Sequence, residues 1–537
     1  MSNLDHQFSR RGFLKNASAV ALASAIPNLG RATDATPVRP KNVLFLMTDE
    51  HNIRHLSANG HTQALTPNLD RLIRNGAYFD NACCTYPVCT PSRGSLHTGM
   101  WPHTHGQDLN VNESKVQGPL VPGGIRGGLK ADTHLLATSF HEQGFACFHE
   151  GKWHLGDLRR HACYNWNLQA HSDDVGYRPM LRDWMKAHHP PADLPHGSWK
   201  EIGGWPIYAI PGMEKFKATG LPYVAARTSL PLAMDQSAYY TDRALADLKE
   251  CGNRPFMLTW SDPGPHGPHV LPDPYYHAVD PAKLPMPTNL FRPEECAGDP
   301  SCQSYDKLVE FMGEAGLREY QRCYCALVRK IDDQIGRLLA ELERRGDLDD
   351  TLIVFTADHG DMGCSHRTAG GKAIWEHYDE IVRVPLIFHW PRGIKGGRRV
   401  RTHAEGVDVM PTILDFMGFG LPAQCQGRSL RSYIEGREDL ERPAFCEATN
   451  PGANVVRRMI RTHEWASWFY CQGKPGEPFT ERRLMALYDL VKDPGEDRNL
   501  AADAKYTDVR KKLVGRILGW MEETNDPWLK SMPFKRV

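Results

Sequence analysis

Residues 42–49 read Asn-Val-Leu-Phe-Leu-Met-Thr-Asp, an unbroken apolar run that closes on an acid. A run of this kind is buried on both faces, so it belongs inside a parallel sheet rather than on a half-exposed strand. The pattern recurs at 255–262, Pro-Phe-Met-Leu-Thr-Trp-Ser-Asp, and at 351–358, Thr-Leu-Ile-Val-Phe-Thr-Ala-Asp, and residues 384–390 make a further apolar strand. Helical patterns lie between them. Thr66 stands at an N-cap position, Pro67 at the first helical position and Gly76 beyond the last turn. Ile331, Ile335, Leu338, Leu339 and Leu342 fall on one helical face. Strands alternating with amphipathic helices predict an α/β fold class: a large, doubly wound, mostly parallel sheet flanked by helices. Ligands of such a sheet gather beyond the carboxyl ends of its strands, where Asp49, Asp262 and Asp358 stand.

From about residue 425 the character changes. Segments 455–462, 465–471 and 484–490 are short and β-like, and a helical pattern follows at 509–523. This predicts a smaller C-terminal α+β domain on an antiparallel sheet. The expected organisation is an export signal and linker over 1–36, a catalytic domain over 37–424 and a C-terminal subdomain over 425–537. The chain of 537 residues is too long for one ordinary core. The stretch from about 155 to 235, rich in His, Pro, Gly and Trp, reads as an insertion over the sheet edge, a lid or a substrate wall.

Lys+Arg and Asp+Glu each total 64, so the basic footprint of a nucleic-acid binder is missing. Nothing matches the roughly 20 apolar residues of a spanning helix. Neither a nucleic-acid partner nor stable membrane insertion is expected. Near the start, Ser9-Arg10-Arg11-Gly12-Phe13-Leu14-Lys15 precedes a mildly apolar stretch over 17–26 and then a polar segment. This resembles a twin-arginine export signal, which implies the twin-arginine translocase as a partner and a periplasmic or secreted destination. A basic, disordered tail containing Arg-Arg is the other reading. Of the 14 cysteines, Cys296 and Cys302 close a short loop and best suit a disulfide, while buried free thiols account for the set equally well. No repeated Cys-x-x-Cys zinc pattern is present.

Five further strings carry chemistry. Residues 89–99 read Cys-Thr-Pro-Ser-Arg-Gly-Ser-Leu-His-Thr-Gly. Asp49-Glu50 and Asp358-His359-Gly360 end two strands and offer oxygen and imidazole donors to a divalent cation. Residues 151–156 read Gly-Lys-Trp-His-Leu-Gly, and 265–268 read Pro-His-Gly-Pro. Singly, each has a plain structural explanation. A strand-terminal aspartate often caps the next element, a cysteine is often simply buried, and a lone histidine such as His154 or His266 is more often structural.

Together and in this order, the strings resemble the type I, formylglycine-dependent sulfatases of the alkaline-phosphatase-like superfamily, along nearly the whole chain after the signal. The resemblance implies that a separate formylglycine-generating maturation enzyme converts Cys89 to Cα-formylglycine, both nucleophile and metal ligand. Asp49, Glu50, Asp358 and His359 would complete a site for Ca2+, with Mg2+ the alternative; Glu50 departs from the family's usual second aspartate. Arg93 would hold the formylglycine and sulfate oxygens, and Lys152 would contact the sulfate. His154 would bind the formylglycine hydroxyl or help expel sulfate, and His266 would protonate the leaving alcohol. Lys372 is the one lysine between Asp358 and Lys395. It stands slightly further upstream of Tyr378 than the family's Tyr-Glu-Glu-x-x-Arg-Val-Pro-Leu-Ile string (here 378–387) leads one to expect, and would be a point charge on the anion. The Leu-Tyr-Asp-Leu of 487–490, with Asp493-Pro494 and Asn499-Leu500, resembles the family's second domain. Asp262 has no counterpart and reads as a turn or cap; His103, His105 and His269 suit pocket or structural roles equally. The implied activity is that of a sulfuric ester hydrolase cleaving a sulfate monoester on a small molecule or glycan. A phosphate or phosphonate ester hydrolase on the same fold, and an unmatured, inactive sulfatase-like binding protein, are the alternatives.

Overall fold

The computed structural model describes residues 38–531 apart from 112–127, 157–160, 165–179, 181–182, 184–199, 203–204, 208–224, 229, 291–299, 369, 373–376, 451–454 and 473–480. The signal expected at 1–36, most of the expected insertion and the side chains of Cys296 and Cys302 lie outside the described residues.

The main sheet has seven strands. In chain order these are β1 (Asn42–Asp49), β2 (Ala77–Phe79), β3 (Ala146–Gly151), β4 (Phe256–Pro265), β5 (Thr351–Ala357), β6 (Leu386–His389) and β7 (Arg398–Val400). Across the sheet they run β7-β2-β6-β5-β1-β4-β3. β1 pairs in parallel with β5 on one side and β4 on the other, and β3 adds in parallel to β4. β6 is antiparallel to both β5 and β2, so the sheet is mixed but mostly parallel. Strand β1 is central and buried along its whole length, which is why its sequence shows no polar alternation. Its side chains divide between two cores. Val43, Phe45 and Met47 pack with Leu96, Trp153 and Leu414, whereas Leu44 and Leu46 pack with Leu69, Ile335 and Leu338.

The helices supply those layers: α1 (Pro67–Arg74), α2 (Cys89–Thr98), α3 (Gln236–Cys251), α4 (Pro300–Arg345, broken at Gly313, φ 59°) and α5 (Val409–Met417). The predicted face of Ile331, Ile335, Leu338, Leu339 and Leu342 on α4 is buried against β1, β4 and β5. At the start of α1, Thr66 occupies the expected cap position, but its hydroxyl does not cap the helix. It bonds Ser57 and Asp70 instead. The free N–H groups of Asn68 and Leu69 donate to the buried Asp332 carboxylate of α4, at 3.0 and 2.8 Å. The cap is thus a tertiary contact that local sequence could not specify.

The second sheet is antiparallel, with β8 (Ala444–Asn450), β9 (Val455–Arg461), β10 (Trp465–Gln472) and β11 (Glu481–Asp489) in sequential order. One face carries α6 (Thr507–Glu523) through Ile460, Phe469 and Leu487 against Ile517 and Trp520. The opposite face, with Met459, Trp468 and Tyr488, joins the core of the main sheet. The fold is therefore α/β with a smaller antiparallel α+β portion. Strand β8 has no clear sequence signature, because Glu447 and small residues interrupt its apolar pattern.

Buried ion pairs lock the second sheet to the first. Arg461 on β9 bonds Glu496 at 2.6 Å and Asp379 at 2.7 Å, and Asp379 also receives Arg54 and Arg383. Removing one member of such a network strands charge away from water, which costs far more than losing an exposed pair. Arg461→Met is expected to lower unfolding stability by about 3–5 kcal/mol. Arg71→Met breaks the exposed Arg71–Glu343 pair, whose side chains are 37% and 45% accessible, and should cost less than about 1 kcal/mol. Urea denaturation of both variants measures the contrast, and equal losses would contradict it.

Candidate active site

Parallel register brings the ends of β1 and β5 to one edge of the sheet: Thr48 pairs with Ala357, so Asp49 and Asp358 leave side by side. The next residue, Glu50, has φ +64°, a left-handed conformation that side chains seldom adopt. Its N–H donates to Asp358 Oδ1 at 3.1 Å, and its carbonyl accepts the Tyr324 hydroxyl at 2.7 Å. This turn lets two consecutive acids face one site.

Cys89 opens α2, a helix whose ten residues are all buried. Ser92 Oγ donates to the Asp358 carbonyl, and Thr90 Oγ1 to the His154 carbonyl at 2.7 Å. On the other side of α2, His105 accounts for one glycine of the signature string. A Cβ on Gly94 would lie 2.6 Å from the His105 ring, and His105 Nε2 reaches the Pro91 carbonyl at 3.1 Å.

The arginine of the string is fully buried. Arg93 Nη2 binds Asp49 Oδ2 at 2.9 Å, Nε binds Asp358 Oδ2 at 2.7 Å, and Nη1 donates to the Lys152 carbonyl and Ser261 Oγ, both at 2.8 Å. Lys152 Nζ lies 2.6 Å from the same Asp49 oxygen. Around Cys89 Sγ stand Asp49 Oδ1 at 3.7 Å, His359 Nε2 at 3.3 Å and Lys372 Nζ at 3.4 Å. Lys372 Nζ is also 3.4 Å from Glu50 Oε2, which His266 Nε2 approaches to 3.2 Å. His266 Nδ1 donates to the Gly267 carbonyl at 2.6 Å, which leaves Nε2 facing the site. His154 has φ +57°, and its Nδ1 is buried with no hydrogen-bond partner among the described residues.

The electrostatics are uneven. Burial raises the Asp49 carboxyl, but Lys152 and Arg93 outweigh it and hold Asp49 well below the usual range. Burial, reinforced by Asp49, pushes Asp358 up to about 6 despite Arg93. Burial raises Glu50 to about 8 against the pull of Lys372. Burial opposes charge on His359, yet Asp358 and Cys89 raise it to about 10. Burial, then Lys372 and Lys152, lowers His266 to about 3. Burial alone would raise Cys89 too, as it raises Cys163 and Cys425 to about 11, but Lys152, Lys372 and His359 carry the Cys89 thiol well below its ordinary value.

These residues fit a divalent cation. Donor atoms of Asp49, Cys89, Asp358 and His359 all lie within 4.8 Å of one another, and those of Asp49, Glu50 and His266 form an adjoining group. Burial, with the Asp49 charge beside them, makes Asp358 and Glu50 resist ionisation, a cost that a bound cation offsets. His359 Nδ1 donates to the Gly360 carbonyl at 2.8 Å, so Nε2, aimed at the cluster, is the nitrogen that would give up its proton to ligate a cation. The oxygen-rich set suits a hard ion.

A second group, His55, His61 and Cys325, is less suited. His61 Nδ1 accepts the N–H groups of Gln63 and Ala64 at 3.1 and 2.8 Å. The neutral ring therefore carries its proton on Nε2, the atom 3.8 Å from Cys325 Sγ, where a metal would need a lone pair.

Other sequence readings resolve plainly. Asp262 accepts Gly264 N at 2.7 Å as a turn residue. His103 pairs with Glu447, and His269 packs its ring on Tyr320 and Tyr324. Sequence reasoning missed Ser261, Tyr320, Tyr324 and Asp361. Ser261 stands one residue before the acid that closes the 255–262 run, and Asp361 lies one residue past the Asp358-His359-Gly360 string, so position was a usable signal for both. The tyrosines sit in a long helix with nothing local to mark them. Among the described residues, no helix is long and apolar enough to cross a membrane.

Known proteins are similar to this chain in sequence and fold. The family model described as Sulfatase matches residues 41–419, and that described as N-sulphoglucosamine sulphohydrolase, C-terminal, matches 375–523. The multifunctional alkaline phosphatase superfamily protein PehA of Trinickia caryophylli is 28% identical, over 89% of this chain and 95% of its own. The N-acetylglucosamine-6-O-sulfatase of Bacteroides thetaiotaomicron is 26% identical, over 93% of this chain and 90% of its own. The solved phosphonate monoester hydrolase from Silicibacter pomeroyi has the same fold, with a TM-score of 0.70 at 24% identity, covering 90% of this chain and 96% of that one. Since the Sulfatase model spans well over half of the sequence, this chain belongs to the sulfatase family.

Proposed function

We propose that this chain is a formylglycine-dependent sulfatase that removes sulfate from a carbohydrate ester, with Cys89 as the matured residue and Ca2+, or alternatively Mg2+, held by Asp49, Glu50, Asp358 and His359. The observation that carries the reading is the setting of Cys89: a buried side chain at a helix start, with Lys372, an imidazole and a carboxylate around its sulfur and the charge of Lys152 acting on it as well. A formylglycine hydrate at that position, with the cation bound, would supply an oxygen nucleophile of lowered pKa where the sequence has a thiol.

The chain's own residues do the rest. Lys152 and Lys372 neutralise the sulfate oxygens, an electrostatic contribution made large by burial. Arg93 keeps Asp49 and Asp358 at fixed separation while contributing its own charge. As the sulfur–oxygen bond to the leaving alcohol breaks, His266, protonated on Nε2 as well once the sulfate anion offsets the charges of Lys372 and Lys152 that lower it, delivers that proton to the departing oxygen. His154 is placed beside Thr90 and is the residue we assign to sulfate expulsion. A carbohydrate substrate is favoured by the kinship with an N-acetylglucosamine-6-O-sulfatase. Maturation by a formylglycine-generating enzyme before export by the twin-arginine translocase to the periplasm or beyond, and division into 37–424 and 425–537, belong to the same reading.

The kinship with a phosphonate monoester hydrolase fold supports a second reading, hydrolysis of phosphate or phosphonate esters. Matched 4-nitrophenyl sulfate and phenylphosphonate esters, assayed on matured, metal-loaded enzyme, separate the two. A kcat/KM at least about tenfold higher for the sulfate, a transition-state preference of roughly 1.4 kcal/mol, is expected. A preference for the phosphonate would reverse the assignment. The role of His266 has its own signature. His266→Ala should lower kcat/KM by about 10²–10⁴ for a sugar sulfate, whose alkoxide needs a proton, and by less than about tenfold for 4-nitrophenyl sulfate, whose phenoxide does not. Equal losses on both substrates would remove His266 as the acid.

A further inference from the structure

Tyr320 and Tyr324 lie one turn apart on α4, and their hydroxyls reach two different loops of the site. Tyr324 donates to the Glu50 carbonyl at 2.7 Å and accepts Asn52 N at 2.9 Å. Tyr320 donates to Asp361 Oδ2 at 2.8 Å and accepts Gly371 N at 2.9 Å, and that N–H also lies 2.6 Å from the same Asp361 oxygen. The loops so held carry Glu50 and Lys372, whose side chains meet at 3.4 Å beside Cys89.

The backbone leading into Lys372 is fixed from several sides. The Gly371 carbonyl accepts Met362 N at 2.8 Å, and the Gly371 N–H is taken by Tyr320 and Asp361. Gly370 has φ +117° and lies so flat on the tyrosine ring that a Cβ there would fall 2.1 Å from Tyr320 Cζ. Asp361 is itself oriented, since its other oxygen accepts Gly363 N at 2.6 Å and its carbonyl accepts Asn52 Nδ2 at 2.6 Å.

A lysine is a point charge on a flexible four-carbon stem. It stabilises a transition state without reorganising only if its backbone is already in place, and displacement by about 1 Å is enough to lose much of the effect. Nothing in the Tyr320–Asp361 pair touches Cys89 in the contacts described above, whereas Lys372 does. We propose that Tyr320 and Asp361 are positioning residues that act on ester hydrolysis through Lys372. The inference rests on the reading of Lys372 as an anion contact.

A double-mutant cycle on the full-length, matured and metal-loaded enzyme tests this, with kcat/KM on 4-nitrophenyl sulfate and the inhibition constant of inorganic sulfate as readouts. Tyr320→Phe, which changes no charge, should lower kcat/KM about tenfold, and Asp361→Asn should lower it further, each weakening sulfate inhibition in parallel. In a Lys372→Ala background, either substitution should cost less than about twofold. Full-sized losses in that background, or wild-type kinetics for Tyr320→Phe, would overturn the inference. If Lys372→Ala alone leaves both readouts unchanged, the reading of the lysine fails, and the positioning role falls with it. Should Asp361→Asn not fold, the Tyr320→Phe arm decides the question alone.

Discussion

The Arg93 guanidinium holds together what the sheet only brings near. Two carboxylates leave neighbouring parallel strands at a fully buried point, and Arg93 binds one oxygen of each while tying the Lys152 carbonyl and Ser261 to the same plane. A planar fork with several fixed donors suits this role, and a single ammonium could not replace it. Charge of both signs is stored in a dry place, so each further site residue is defined by how it shares that balance. Asp49 stays ionised because Lys152 and Arg93 outweigh its burial, while Asp358 and Glu50 are left short of positive charge. That shortage is the physical reason for assigning a cation to the cluster.

The fold explains why the balance can be kept. A central strand buried on both faces cannot slip by one residue without moving each side chain from one packed core into the other, so the positions of Asp49 and Asp358 are set by the packing of β1 against β4 and β5. The helices add the second set of constraints: α2 presents Cys89 and Arg93 from one layer, and α4 holds the loops of Glu50 and Lys372 from the other. The antiparallel sheet is joined to this scaffold by the Arg461–Asp379 ion pair at 2.7 Å and by the His103–Glu447 contact at 3.1 Å.

What sequence could and could not disclose follows from the range of the interactions. Strands β1, β4 and β5 were legible because two-sided burial leaves an unbroken apolar run, and the core face of α4 because its period is local. The short strand β2 and the mixed pattern of β3 carried no such signal. The Asp332 cap of α1, the Ser261 contact of Arg93 and the hydroxyls of Tyr320 and Tyr324 join residues far apart in the chain, and no spacing encodes them. For the site, the residue types and strand-end positions of Asp49, Glu50, Asp358 and His359 were readable. Their uneven ionisation was not, since it depends on burial and on which carboxylate Lys152 and Arg93 reach.

The central claim is that residue 89 works as a modified, oxygen-bearing side chain in this charged setting rather than as a thiol. Mass spectrometry of the peptide spanning residue 89, from active enzyme purified out of its native host, tests it most directly. The account predicts the mass of formylglycine at that residue, in proportion to sulfatase activity across preparations. An intact Cys89 in fully active protein would contradict it.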